Sequence, residues 1–289
     1  AREADVIRQA SVVLGGVATT PWRASKVEEV LVEEGVRVHT NSRVASINGN
    51  HQVESVSLEG GETLPADFVL VSIGAKPSIE LAQEAGLRIT DRGSMWVDDY
   101  MQTNIEGVFA VGDCALKRDF FTRREVPVWL ASTATSEARN AGANLYGIRV
   151  LNQVQGTIAA FSTRIGGVLF ASAGMICRVG AREGFRAISS SVVSYDRHPI
   201  TLPDSCECMV KLCFSPRSGI IMGGQVYGCA AVGELINVIA LAIQKKVTVR
   251  EVDMMQIATH PLLTAAPTVH PFINAAHQGL AKMRAAVKE

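Results

Sequence analysis

The sequence predicts an α/β region with a largely parallel sheet, followed after about residue 155 by an α+β half with an antiparallel sheet. Two observations carry this reading. Up to about Tyr146, short apolar strands are mixed with helical stretches; beyond it, longer strand-like runs separated by turn residues lead into two further helices. The 289 residues leave room for about two domains of roughly 100 to 200 residues each.

From Ala24 to Glu34, the apolar residues Val27, Val30 and Leu31 recur at helical spacing among glutamates, and Gly35 stands where a helix would stop. The next run, VRVHT, alternates as a strand. Arg43 to Ile47 and Val53 to Leu58 alternate on either side of Asn48-Gly49-Asn50, whose Asn-Gly pair is a hairpin signal. Asp67 to Ile73 reads as a nearly continuous apolar strand that ends at Gly74, with Pro77 close behind. A helix is expected over Ser78 to Ala85, then strands near Met95 to Val97 and from Gly107 to Val111. Ala131 to Tyr146 forms a helix carrying small residues. In the second half, strands are expected at Phe185 to Ser194, Met209 to Phe214 and Ile220 to Tyr227, with Ser215 to Gly219 as a turn. Helices over Ala230 to Gln244 and Pro271 to Val287 complete it.

The 28 Lys+Arg balance 28 Asp+Glu, so the formal net charge of zero lacks the basic footprint of a nucleic-acid binder. The longest apolar stretch, Ala230 to Ile243, falls short of the roughly 20 residues that span a bilayer. It also carries Glu234 and Asn237, and reads as a buried helix rather than a membrane element. The first residues, AREADVIRQAS, lack the basic start and apolar run of a secretory signal, so a cytoplasmic setting is expected. The six cysteines contain no CxxC pair. Cys206 and Cys208 would share one face of a strand, but ordinary reduced thiols are the expectation for an intracellular chain. His198, His270 and His277 show no ligand spacing, and no metal site is expected.

Neither GxGxxG nor GxxxxGK occurs, and Gly15-Gly16 lacks the third glycine and helix of a phosphate loop. The run TNIEGVFAVGD, Thr103 to Asp113, carries more information. It couples a polar turn to a short apolar strand and stops on Gly-Asp. Such a strand end presents a carboxylate beside a glycine that lets a ligand approach the backbone, which suits the adjacent hydroxyls of a polyol. An ordinary strand followed by a turn has the same local pattern.

The same run resembles the second flavin-binding motif of the FAD-dependent pyridine nucleotide-disulfide oxidoreductases, in which the aspartate holds the ribityl chain of FAD. That resemblance implies a cofactor-binding role for Asp113 and Gly112, with Cys114 as a small packed neighbour. Asp67 to Pro77 looks like the strand and Gly-x-x-Pro crossover, here Gly74 and Pro77, that returns the chain from the nicotinamide domain to the flavin domain. Gly93 to Asp98 and Tyr100 to Thr103 match the segment preceding the flavin motif. Ala131-Ser132-Thr133-Ala134 is similar to the start of the helix whose backbone N–H groups and dipole face the flavin pyrimidine carbonyls. The second half is similar to the family's dimerisation domain at Gly184-Phe185-Arg186-Ala187, at Gly219 to Gln225 and at Ile236-Asn237-Val238. Within the family, the branch most resembled is that of the NADH oxidases and coenzyme A-disulfide reductases.

The resemblance implies a partial, Rossmann-like nicotinamide-binding domain over residues 1–75, the C-terminal part of an FAD-binding domain over 76–154, and a dimerisation domain over 155–289 that pairs two subunits. It runs from about Ala24 onward and fits the first twenty-odd residues poorly, so the chain is expected to be the C-terminal portion only. The implied activity passes electrons from NAD(P)H through FAD to oxygen, a disulfide or a sulfur compound. None of the six cysteines matches the family's redox cysteine. His260-Pro261 stands where a His-Pro of the disulfide reductases exchanges protons with a thiol, yet Ala265 occupies the place of its orienting glutamate. His260 is therefore a catalytic candidate weighed against a structural or flavin-lining histidine. A second reading, of another class, is a non-catalytic dimerisation or scaffold fragment that keeps the fold without tight cofactor binding, since no pyrophosphate loop is encoded.

Overall fold

The computed structural model describes residues 11–12, 35–39, 41–147, 153–228 and 230–286. Its contacts divide into two units, Ala1–Lys76 and Pro77–Glu289. The helix expected over Ala24 to Glu34, Gly15-Gly16 and Cys229 lie outside the described residues.

In the first unit, β1 (Ser11–Val12) pairs in parallel with β2 (Arg37–Val38). A three-stranded antiparallel meander follows: β3 (Val44–Asn48), β4 (Ser55–Leu58) and β5 (Thr63–Pro65). The hairpin read from Asn48-Gly49 is present, closed by Glu54 N donating to Asn48 O at 2.9 Å. Gly49 is required there, because it sits at φ +149 and a Cβ would come within 1.9 Å of the Gln52 carbonyl oxygen. Val56, Leu58 and Leu64 form the small core of this unit. The strand expected over Asp67 to Ile73 is not formed. Phe68, Leu70, Val71 and Ile73 are 77%, 78%, 60% and 76% exposed. An extended apolar run becomes a strand only when a neighbour takes up its backbone N–H and C=O groups, and among the described residues none pairs with it.

The second unit opens with α1 (Glu80–Glu84), inside the helix expected there. The strands expected near Met95 to Val97 and over Gly107 to Val111 shrink to single bridges, Met95 with Ile89 and Ala115, and Gln102 with Phe109. Asp98 Oδ1 accepts from Tyr100 N and Gln102 N, and Met101 adopts φ +68, so the chain turns before a ladder can extend. Val97, Met101, Ala110, Ala115, Leu116 and Ala141 pack into one cluster beneath this region. The long helix α2 (Ala131–Asn144) follows.

A five-stranded antiparallel sheet forms the rest, in the order β6-β7-β10-β9-β8. Its last three strands are those expected: β8 (Ile188–Tyr195), β9 (Glu207–Phe214) and β10 (Ile221–Gly228). Between β9 and β10 lies the expected turn, with Gly219 N donating to Ser215 O at 2.9 Å and Gly219 at φ +73. The first hairpin, β6 (Phe161–Ile165) and β7 (Val168–Gly174), joined through Gly166-Gly167, is not among the expected strands. After the short helix α3 (Cys177–Arg182), the later helices are α4 (Val232–Gln244), α5 (Val249–Asp253) and α6 (Pro271–Ala286). Helix α4 packs on β10 and β7, α6 on β8 and β9. Glycines permit the approach: a Cβ at Gly224 would meet Ile239 Cγ2 at 2.5 Å, and one at Gly279 would meet Phe214 Cζ at 2.9 Å. The core between them holds Val210, Leu212, Phe214, Ile221, Ile239 and Ile243, each fully buried.

The expectation of reduced thiols throughout is corrected here. Cys177, first residue of α3, and Cys213 of β9 are joined in a disulfide, with Cα atoms 5.6 Å apart. The partners are 36 residues apart, and tertiary placement rather than local spacing brings them together. Cys206 precedes β9 and is half-buried, whereas Cys208 lies in the strand; burial pushes the Cys208 thiol up to about 12. That shift leaves Cys208 an inert packed thiol.

Candidate functional site

The chain leaves Val111 in extended conformation and tightens into a single 3₁₀ turn, Gly112–Cys114. Gly112 stands at φ +79, a left-handed conformation costly for any residue with a Cβ. Asp113 is exposed, and no hydrogen bond or ion pair engages its carboxylate among the described residues. Cys114 is half-buried, its thiol donating to Val111 O at 3.4 Å.

This turn packs against α2. Leu130 precedes the helix in extended conformation and offers no side-chain cap. Ala134 N donates to Leu130 O at 3.0 Å, while the N–H groups of Ala131, Ser132 and Thr133 have no partner among the described residues. Ala131 and Ser132 are exposed, and Thr133 and Ala134 half-buried. An uncapped helix start of this kind concentrates partial positive charge and hydrogen-bond donors. An acceptor-only carboxylate and a row of donors therefore stand on adjoining elements. Together they can receive a ligand carrying hydroxyls at one end and carbonyl oxygens at the other.

Beneath the turn lies a buried ion pair that sequence reading missed. Lys117 Nζ lies 2.9 Å from Glu137 Oε2, with the side chains only 3% and 2% exposed. Glu137 Oε2 also accepts from Gly112 N at 3.0 Å, and Lys117 Nζ donates to Gly112 O and, at 3.0 Å, to Ala115 O. One signal was available. Glu137 shares the inward stripe of α2 with Ala141 and Asn144, and an acid on such a stripe demands a partner.

The structure thus brings Gly112, Asp113, Cys114 and Ala131 to Ala134 together. Gly74 belongs to the other unit, exposed at φ +100. His260 occupies an exposed loop, where its Nδ1 accepts from Leu262 N at 3.2 Å and its own N–H donates to Thr264 Oγ1 at 3.0 Å. No hydrogen bond or ion pair among the described residues links His260 to the turn or to α2. Ala265 is buried at 3% exposure. His270 is a packed histidine: burial pulls its imidazole below the ordinary 6.5, and its Nδ1 is buried without a hydrogen-bond partner.

Residues 2–141 match the family described as pyridine nucleotide-disulphide oxidoreductase, and residues 170–270 match that family's dimerisation domain. The first match begins at residue 2, which corrects the expectation that the opening residues fit poorly; so short a stretch without a glycine fingerprint offers little to recognise by motif. The CoA-dependent NAD(P)H sulfur oxidoreductase of Pyrococcus furiosus is 28% identical over 277 residues, covering 94% of this chain and 61% of that protein. An NADH oxidase of Methanocaldococcus jannaschii is 30% identical over 270 residues, covering 91% of this chain and 57% of the other. The solved structure of an NAD-dependent persulfide reductase from A. fulgidus aligns with a TM-score of 0.82 at 30% identity, over 91% of this chain and 48% of that one. The chain spans about half the length of the relatives it matches.

Proposed function

This chain belongs to the pyridine nucleotide-disulphide oxidoreductase family, and on that premise we propose that it is the C-terminal part of a flavoprotein that passes electrons from NAD(P)H through FAD to oxygen, a disulfide or a sulfur compound. The observation that carries the reading is the exposed Asp113 carboxylate beside the three uncapped N–H groups of α2.

These residues fit the cofactor chemically. Asp113 accepts hydrogen bonds from ribityl hydroxyls, each charge-assisted contact contributing about 1.5 to 3 kcal/mol. Gly112 leaves the approach open, because it has no Cβ and its conformation suits no other residue well. At the helix start Ala131 to Ala134, the free backbone N–H groups of Ala131, Ser132 and Thr133 would donate toward the ring carbonyls, with half-buried Cys114 in the adjoining turn. Gly74 turns the crossover between the two nucleotide-binding parts. FAD, when bound, supplies hydride acceptance and onward electron transfer, which no side chain here can replace. The two relatives, an NADH oxidase and a sulfur oxidoreductase, support this range of acceptors.

In this reading residues 1–75 contribute to the nicotinamide part, 76–154 to the flavin part, and 155–289 pair two subunits into a homodimer in the cytoplasm. His260 is the candidate for proton exchange near the acceptor. Among the described residues no helix is long and apolar enough to cross a membrane.

The test uses the 289-residue chain itself. Purified, mixed with FAD and desalted, it is expected to stay yellow and to unfold at a higher temperature than without FAD, because a ligand that binds the folded state stabilises it. A colourless protein with no thermal shift would leave only the scaffold reading.

A further inference from the structure

We infer that Lys117 and Glu137 are a positioning pair that fixes the Gly112–Cys114 turn for its ligand, by holding both polar backbone atoms of Gly112 from beneath. That the ligand is a flavin rests on the function proposed above; the grip rests on geometry alone.

Glu137 Oε2 takes the Gly112 N–H at 3.0 Å and the Lys117 ammonium at 2.9 Å. The same ammonium donates to Gly112 O and to Ala115 O, the carbonyl that follows the turn. Two side chains thus engage three backbone groups of the turn and its exit: Gly112 N and Ala115 O, and Gly112 O beside the turn's own hydrogen bond from Ala115 N at 3.0 Å. Both are almost completely buried, whereas Asp113 in the turn itself is exposed. Their hydrogen bonds therefore act on the turn.

Stability alone gives little reason for such a pair. Desolvating two charges offsets most of their attraction, and well-packed apolar residues of similar volume commonly do as well. An apolar pair has no means, however, of holding a left-handed glycine peptide in one orientation. Glu137 also lies on the second turn of α2, one turn beyond the uncapped N–H groups of Ala131, Ser132 and Thr133. Through one carboxylate the carboxylate-bearing turn is tied to the donor-bearing helix end, which sets the spacing between Asp113 and those donors.

The test replaces both partners in the 289-residue chain, Lys117→Met with Glu137→Leu, so that no lone charge is left buried. Three quantities are read: the urea midpoint, the amide exchange rate of Gly112, and the FAD dissociation constant from flavin fluorescence. The expected result is a midpoint close to the parent's, with Gly112 exchange faster and FAD binding weaker by about tenfold or more. Lys117→Met with Glu137→Gln keeps a carbonyl acceptor for the Gly112 N–H, and is expected to recover Gly112 protection. Equal Gly112 protection in the parent and the Met/Leu variant would overturn the inference, as would FAD affinity that simply follows the urea midpoint. Should the Met/Leu variant not fold, the Met/Gln variant decides alone: it must protect Gly112 as the parent does yet bind FAD more weakly. If the parent binds no FAD, the flavin reading fails, and the exchange rates still decide whether the grip exists.

Discussion

Replacing Gly112 with alanine separates conformation from crowding at the turn. The residue sits at φ +79, and an L-residue held in the left-handed region pays about 1 to 2 kcal/mol. Crowding adds nothing, since the new Cβ would find only Ala134 Cβ, at an ordinary 3.8 Å. The unfolded chain becomes stiffer with alanine, which offsets about 0.4 to 1 kcal/mol. The expected net loss is about 1 kcal/mol. Urea unfolding followed by tryptophan fluorescence measures it, as a lower midpoint at unchanged slope. An unchanged or higher midpoint would refute a left-handed Gly112. A loss above about 3 kcal/mol would mean that the site is tightly packed, against the 3.8 Å clearance. Adding Ala134→Gly is a further control, and should recover nothing, because no clash exists to relieve.

Three other outcomes follow from the fold. Gly223→Ala should cost about 3 kcal/mol or more and lower the melting temperature sharply, because its Cβ would lie 2.1 Å from the Met175 carbonyl oxygen; a variant as stable as the parent would contradict the β7–β10 packing. Thiol titration of the denatured chain should leave two of its six cysteines unreactive until reductant is added. Reduction of Cys177–Cys213 should also lower stability by about 4 kcal/mol on the chain-entropy estimate for so long a loop, as read by urea unfolding. His270, pulled below 6.5 by burial, takes up its proton at a higher pH when the chain unfolds. Its contribution is therefore complete above pH 6.5 and is lost as pH falls through the lowered folded value. Between about pH 8 and pH 5, His270→Gln should flatten the fall in urea midpoint, and an identical pH profile would sink this assignment.

What could be read from the sequence is what local chemistry decides. Asn48-Gly49 marked a hairpin because the backbone there needs φ > 0, and Ser215 to Gly219 marked a turn for a related reason. Strand-like runs bounded by turn residues located β8, β9 and β10. Gly-Asp at the end of an apolar run located the turn. What could not be read depends on partners distant in the chain. Asp67 to Ile73 has the composition of a strand, but composition cannot supply the neighbour that completes a ladder. Cys177 and Cys213 carry no shared local pattern, and Lys117 meets Glu137 across 20 positions only after α2 docks on the turn. The Gly166-Gly167 hairpin was legible from Phe161 to Ile165 and Val168 to Gly174 flanking two glycines, and was passed over.

The Gly112–Cys114 turn and the start of α2 are proposed to form a flavin site. Its most direct measurement is an equilibrium titration of FAD with the 289-residue chain, run in parallel with Asp113→Ala and followed by quenching of flavin fluorescence. Saturable binding by the parent is expected, with affinity about tenfold or more weaker in the variant, the loss of one charge-assisted contact. Binding of equal strength by both proteins, or by neither, would contradict it.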